Sequence, residues 1–136
     1  MAAPNIVNVG LMNGKTVQVT AGTGTGSNAT AIISNAAASG KVFKINLIQA
    51  ANINGVNSAD ITVTLWEEAV ASSGNNFDLC NVVAVPAKAV VLVTDKNSSF
   101  YLEENRSIYC TASTSSSITI TCSYEEISEV WLDLEM

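Results

Sequence analysis

A chain of 136 residues has the length of one ordinary domain, and its twelve acids against six bases, a net charge of −6, lack the basic surplus that phosphate backbones and anionic membrane surfaces attract. Charged residues make up only 13%, about half the globular average, which leaves the surface to Ser, Thr and Asn and suits a part that packs against neighbours. The absence of histidine removes the commonest general base, the commonest metal ligand and the usual partner of a Ser or Cys nucleophile.

Along the chain, short apolar runs alternate with small polar turns. Asn5–Val9 and Lys15–Thr20 read as two strands around Asn13-Gly14, a strong hairpin signal. The loop Gly22–Ser27 follows, and Ala29–Ser34 reads as a third strand. From Lys41 to Ala51, Phe43, Ile45 and Leu47 alternate with Val42, Lys44 and Asn46. Beyond the Asn54-Gly55 turn, Ile61, Val63 and Leu65 point one way and Thr62, Thr64 and Trp66 the other, the period of a half-buried strand. Leu79–Val85 is a strand ended by Pro86, which cannot donate to a ladder. Ala89–Thr94 is continuously apolar, the pattern of a strand buried on both faces. Phe100–Leu102 follows, then Ser107–Ala112 and Ser117–Tyr124 as a last pair around Ser113–Ser116, with Ile118, Ile120 and Cys122 inward. Eight to ten short strands at this turn spacing predict a single all-β sandwich, with jelly-roll and immunoglobulin-like orders both open. It spans residues 1–128, and 129–136 form a C-terminal extension. The stretch Glu125–Met136 is acidic yet holds Ile127, Val130, Trp131 and Leu134, and reads as a short helix or an extended arm.

Chemistry is sparse. Cys80, Cys110 and Cys122 are odd in number and widely spaced, so they read as buried free thiols and not as a disulfide framework or zinc site. The start of the sequence shows no signal-peptide pattern, and no apolar run is long enough to span a membrane. Adjacent carboxylates occur at Glu67-Glu68, Glu103-Glu104 and Glu125-Glu126, but neighbours on a strand face opposite ways and make poor acid–base pairs. The Gly22–Ser27 loop lacks the Lys-Ser/Thr of a phosphate cradle. Asn52, Asn54, Asn57, Ser58 and Asp60 offer oxygens but a single charge, a weak calcium set. No cofactor and no metal is expected. Trp66 is either second-face core or an exposed anchor, and Trp131 lies past the last strand.

Met1-Ala2-Ala3-Pro4-Asn5-Ile6-Val7, Lys41-Val42-Phe43-Lys44-Ile45-Asn46, the strand Ser58–Val63, Val85-Pro86-Ala87, Tyr101-Leu102-Glu103-Glu104 and Cys122–Ser128 follow one another in an order that resembles small virion proteins of marine tailed bacteriophages, the cyanophage and pelagiphage kind. The resemblance covers residues 1 to about 128. It departs where relatives carry Gly-Asp after Leu-Glu-Glu and this chain has Asn105-Arg106; Asn tolerates the left-handed turn. It implies a non-enzymatic particle component, assembled in the host cytoplasm and used in many copies in the virion.

The leading expectation is a capsid decoration or cement protein, trimeric, bound to the outside of a major capsid protein shell, with no nucleic-acid or membrane partner. Ile6, Val7 and Val9, then Val130, Trp131 and Leu134 are candidate interface residues because apolar side chains near chain ends are unusual, and Trp66 is a further candidate because it stands on the polar side of an alternating strand. Rival expectations are a tail, neck or fibre-base component, a carbohydrate- or receptor-binding sandwich using Trp66 and Tyr109, and a carboxylate-dependent hydrolase.

Overall fold

A computed structural model describes residues 9–129, and the side chains of 11–128. Among the described residues nine strands follow in order: β1 (Val9–Thr20), β2 (Thr30–Asn35), β3 (Lys41–Asn52), β4 (Ala59–Trp66), β5 (Asn76–Val85), β6 (Val90–Thr94), β7 (Phe100–Leu102), β8 (Arg106–Ala112) and β9 (Ile118–Glu129). They form two sheets, β1-β9-β3-β6 with β7 also on β3, and β2-β8-β4-β5. Every pairing is antiparallel.

The pairing is nested. β4 pairs with β5, β3 with β6 and β7, β2 with β8, and β1 with β9. One long hairpin has in effect been rolled until its arms lie in two facing sheets. That is the jelly-roll order, and it decides between the two sandwich topologies that strand spacing left open.

The core is the space between the sheets. Ile45, Ile48, Ala50, Ile118, Ile120 and Cys122 enter it from the β1-β9-β3-β6 sheet, and Ile33, Ile61, Val63, Val85, Ile108 and Cys110 from the other. Period two puts them there: on β4, Ile61 and Val63 are fully buried while Thr62 and Thr64 face out.

Two buried amides close the ends of the sandwich. Asn35, the last residue of β2, donates to the Lys41 and Leu102 carbonyls, both at 3.0 Å, and accepts from the Ser39 hydroxyl. Asn52, the last residue of β3, donates to the Val85 and Asn57 carbonyls at 2.9 and 3.0 Å and accepts from the Asn54 amide. Buried polar groups persist where their bonds are complete, as these are.

Several expectations are corrected. Residues 9–20 form one strand, with Asn13 opposite Glu126 and Gly14 opposite Glu125. Neither has the positive φ that a tight hairpin turn requires, because β9 offers an unbroken partner along the whole segment. β8 and β9 are not partners: the Ser113–Ser116 turn carries the chain from one sheet to the other. In β3, a bulge at Asn46 reverses the alternation, so Ile48 and Ala50 point inward in place of Leu47 and Gln49. β6 is an edge strand, and its Val90 and Leu92 are more than half exposed. Residues 125–129 belong to β9 and are not helical; residues 130–136 lie outside the described residues. The turn at Asn105 does adopt the left-handed conformation, with φ 59°.

Candidate functional site

Two surfaces stand out from the alternation of the strands. The first is the outer face of the β2-β8-β4-β5 sheet. Rows of side chains cross it: Thr111 beside Thr62, Tyr109 beside Thr64 beside Asp78, Ser107 beside Trp66 beside Asn76. The segment after β1 folds over one flank, held where Gly22 donates to the Thr30 hydroxyl and accepts from the Ala112 amide. The turn between β4 and β5 closes one end: the Glu68 carboxylate accepts from the Ser72 and Gly74 amides at 3.0 and 2.8 Å. Between these walls lies a cavity of about 310 Å³ that Thr25, Ala29, Thr64, Trp66, Asp78 and Tyr109 help to line. A second, of about 330 Å³, shares Thr25, Thr62 and Thr111 and runs on to Asp60 and Ser113. Together they make a groove along β4.

Its floor is fixed by hydrogen bonds. The Thr64 hydroxyl donates to Asp78 Oδ1 at 2.9 Å, and the Val82 amide donates to the Thr62 hydroxyl at 2.9 Å. At the closed end the Trp66 and Tyr109 rings meet edge-on, centroids 6.4 Å apart. The Ala71 amide donates to the Tyr109 hydroxyl at 3.1 Å. Both rings are buried, Trp66 to 5% exposure and Tyr109 to 8%. Trp66 as an exposed interface anchor is thereby corrected: residues of the β4–β5 turn cover it, and it belongs to a small outer cluster with Ala71 and Tyr109.

The second surface is one lateral edge of the sandwich, where β5 and β6 come together from the two sheets. Phe77 is 57% exposed, Val82 61%, Val90 55% and Leu92 54%, with Leu79 beside them. Behind them Cys80, Val83, Val91 and Val93 are only partly covered. β5 is irregular at two places opposite β4. At one of them Val82 takes φ 51°, a left-handed conformation rare for a β-branched residue. Bulges of this kind bend an edge strand away from regular pairing.

The other expected residues fall as follows. Ile6, Val7, Val130, Trp131 and Leu134 lie outside the described residues. Val9 opens β1 opposite Glu129, so the first and last described residues lie together at one end of one sheet. Leu11 and Met12, next along β1, are 62% and 56% exposed.

One carboxylate of each pair is engaged in structure. Glu68 holds its turn. Glu104 is buried and accepts from the Gly40 amide. Glu126 lies between Lys15 and Lys41 at 3.4 and 3.2 Å. In the Asn52–Asn57 turn two side-chain oxygens are likewise engaged by its own amides: Asn52 Oδ1 accepts from Asn54, and Asn54 Oδ1 accepts from Val56 and Asn57. All three cysteines are free. Burial pushes the Cys110 and Cys122 thiols up to about 12, and burial also raises Cys80. A thiol held protonated is a poor nucleophile.

Sequence reading missed Asn76, Asp78 and Thr111 as groove residues. Only the period-two threonines of β4 gave a signal, and strand order alone brings the others beside them. The apolar edge had a visible signal in Ala89–Thr94, read as a strand covered on both faces. Compared with known proteins, the chain matches no family model, no curated protein and no solved structure.

Proposed function

We propose that the chain is a non-enzymatic structural component of a phage particle, a decoration protein that sits in many copies on the outside of the capsid. The observation that carries this reading is the apolar edge of β5 and β6. Phe77, Val82, Val90 and Leu92 are each more than half exposed in a chain with only 13% charged residues. Covering side chains of this size contributes about 1–2 kcal/mol each, and exposed apolar side chains gathered along one edge are candidates for an association surface. The occupant is a second copy of the chain. The one acid on β5, Asp78, engages Thr64 across the outer face, so two such edges meet without like charges opposed. Jelly-roll order is shared by viral capsid and lectin domains, an analogy of fold that carries less than the edge does.

In this reading the capsid shell is held by the residues before Val9 and after Glu129, which include Ile6, Val7, Val130, Trp131 and Leu134; Val9 and Glu129 themselves lie opposite each other. The test uses the full chain and the double variant Phe77→Asp, Leu92→Asp. The native protein is expected to be oligomeric by light scattering and to bind undecorated heads in hundreds of copies. The variant is expected to melt as a folded monomer and to lose most of its occupancy. A native protein that is monomeric, or a variant that decorates heads as fully as the native one, would sink the reading. Tens of copies confined to the tail would move the protein to the neck or tail.

A further inference from the structure

We propose that the groove along β4 binds a neutral oligosaccharide. The inference does not rest on the assembly role: the polar lining of the groove is distinct from the apolar edge, although Val82 borders both.

Shape is the first argument. The two cavities, about 310 and 330 Å³, share Thr25, Thr62 and Thr111. Each has the size of a small-ligand pocket, and together they extend along one strand. An elongated trough with two connected compartments fits a chain of similar units better than one compact molecule.

The second argument is the lining. A sugar hydroxyl both donates and accepts, so it is matched by a wall that offers both. Asn76 and Asn81 line the groove with amides that donate from nitrogen and accept at oxygen. Asp78 has one oxygen held by Thr64 and the other open to accept. The Thr62 hydroxyl accepts the Val82 amide N–H, which leaves its own proton to donate. Thr62 and Asp78 are held by hydrogen bonds within the sheet before any ligand arrives, so little ordering of these two is required on binding.

Charge is the third. Asp60 and Asp78 line the groove, and neither cavity has a Lys or Arg in its lining. Phosphates, sulfates and uronic or sialic acids are therefore disfavoured, and neutral sugars are selected by exclusion as well as by fit. Trp66 and Tyr109 form the closed end with their rings mostly covered. Recognition accordingly rests on hydroxyl pairing and on the length of the trough, and not on a sugar ring stacked across an open aromatic face.

The test is a nitrogen-15 NMR titration of the full chain with maltotriose, cellotriose and chitotriose, and with a galacturonic acid trimer as the anionic counterpart. At least one neutral trimer is expected to give saturable shifts at the amides of Thr62, Thr64, Asn76, Asp78 and Thr111, at millimolar concentration or below. The anionic trimer is expected to give none. Asp78→Ala should weaken the neutral trimer at least about tenfold, as loss of one charge-assisted hydrogen bond does. The double variant Asn76→Ala, Asn81→Ala changes exposed side chains only and gives a second reading should Asp78→Ala fail to fold. No response to any neutral trimer would overturn the proposal. So would preference for the anionic trimer, or affinity unchanged in the Asn76→Ala, Asn81→Ala protein.

Discussion

Asn35 shows what a single side chain does at the end of this sandwich. Its amide nitrogen joins the start of β3 to the end of β7, and its own carbonyl accepts the Asn105 amide at 2.8 Å. Replacing it with alanine leaves the buried Leu102 carbonyl without this donor and opens a small void. Asn35→Ala is expected to cost about 2–3 kcal/mol, read as a lowered denaturant midpoint with an unchanged slope. The buried thiols make a second residue-scale prediction. Cys110 and Cys122 ionise near 9.0 when exposed in the unfolded chain and near 12 in the fold, where burial disfavours the thiolate. The folded pKa is the higher one, so their contribution is complete below pH 9 and is lost as pH climbs from 9 towards 12. Each thiol removes about 1.4 kcal/mol per pH unit in that window. Denaturation at pH 8 and pH 10.5 should show the fall, and Cys122→Ala should make it shallower. Nothing in the sequence around Asn35 announced its role, since an Asn at a strand end reads as a turn residue. Buried thiols, in contrast, were legible, because Cys122 continues the inward series of Ile118 and Ile120.

At the scale of elements, the edge of β3 is the instructive case. β6 pairs with it at Ile48–Ala51 and β7 at Phe43–Ile45. Between them the chain makes a short 3-10 turn at Lys96–Ser98, opposite the bulge at Asn46. The turn is capped: the Asp95 side chain accepts from the Asn97 amide at 3.0 Å, and the Asp95 amide donates to the Ser98 hydroxyl. Loss of such a cap costs about 1 kcal/mol. Asp95→Ala is therefore expected to lower stability by that amount, with faster amide exchange along β6 and β7 before any change in β9. The same element explains what the sequence concealed. Period two identified β4 and the start of β9 well, because their inward and outward residues differ in polarity. It misread β3 beyond Ile45, where the bulge shifts the phase, and β6, whose outward residues are as apolar as its inward ones. The Asn13-Gly14 signal was a true turn preference overridden by the long partner strand on one side of it.

For the molecule as a whole, nested pairing fixes the order of difficulty in folding. β4 and β5 are neighbours in sequence, while Val9 meets Glu129. Contacts at such separations form late and slowly. Refolding from denaturant is expected to take from milliseconds to seconds, with the β1–β9 pair gaining amide protection last, measured by pulsed hydrogen exchange. Fold class followed from strand count and turn spacing, since any chain with this alternation must bury two facing sheets. Strand order did not follow, because it depends on which turns cross between sheets. The Ser113–Ser116 turn does cross and the Ser72–Asn75 turn does not, though both are short, polar and rich in serine. The groove was hidden for the same reason: Thr25, Thr62, Asp78 and Tyr109 come from four distant segments and share a wall only once the order is known.

The side-by-side placement of residues 9 and 129 also sets how the domain bears load. If the particle holds it by both segments, traction is applied across the open mouth of the β1–β9 ladder, not along its length. Hydrogen bonds in that ladder would then break one after another, as in a zipper, and not all together in shear. Such a domain yields at low tension from one corner while β3, β4 and β8 keep their pairing. Single-molecule pulling through the two ends should show a small first step of a size set by β1, followed by resistance from the rest of the sandwich.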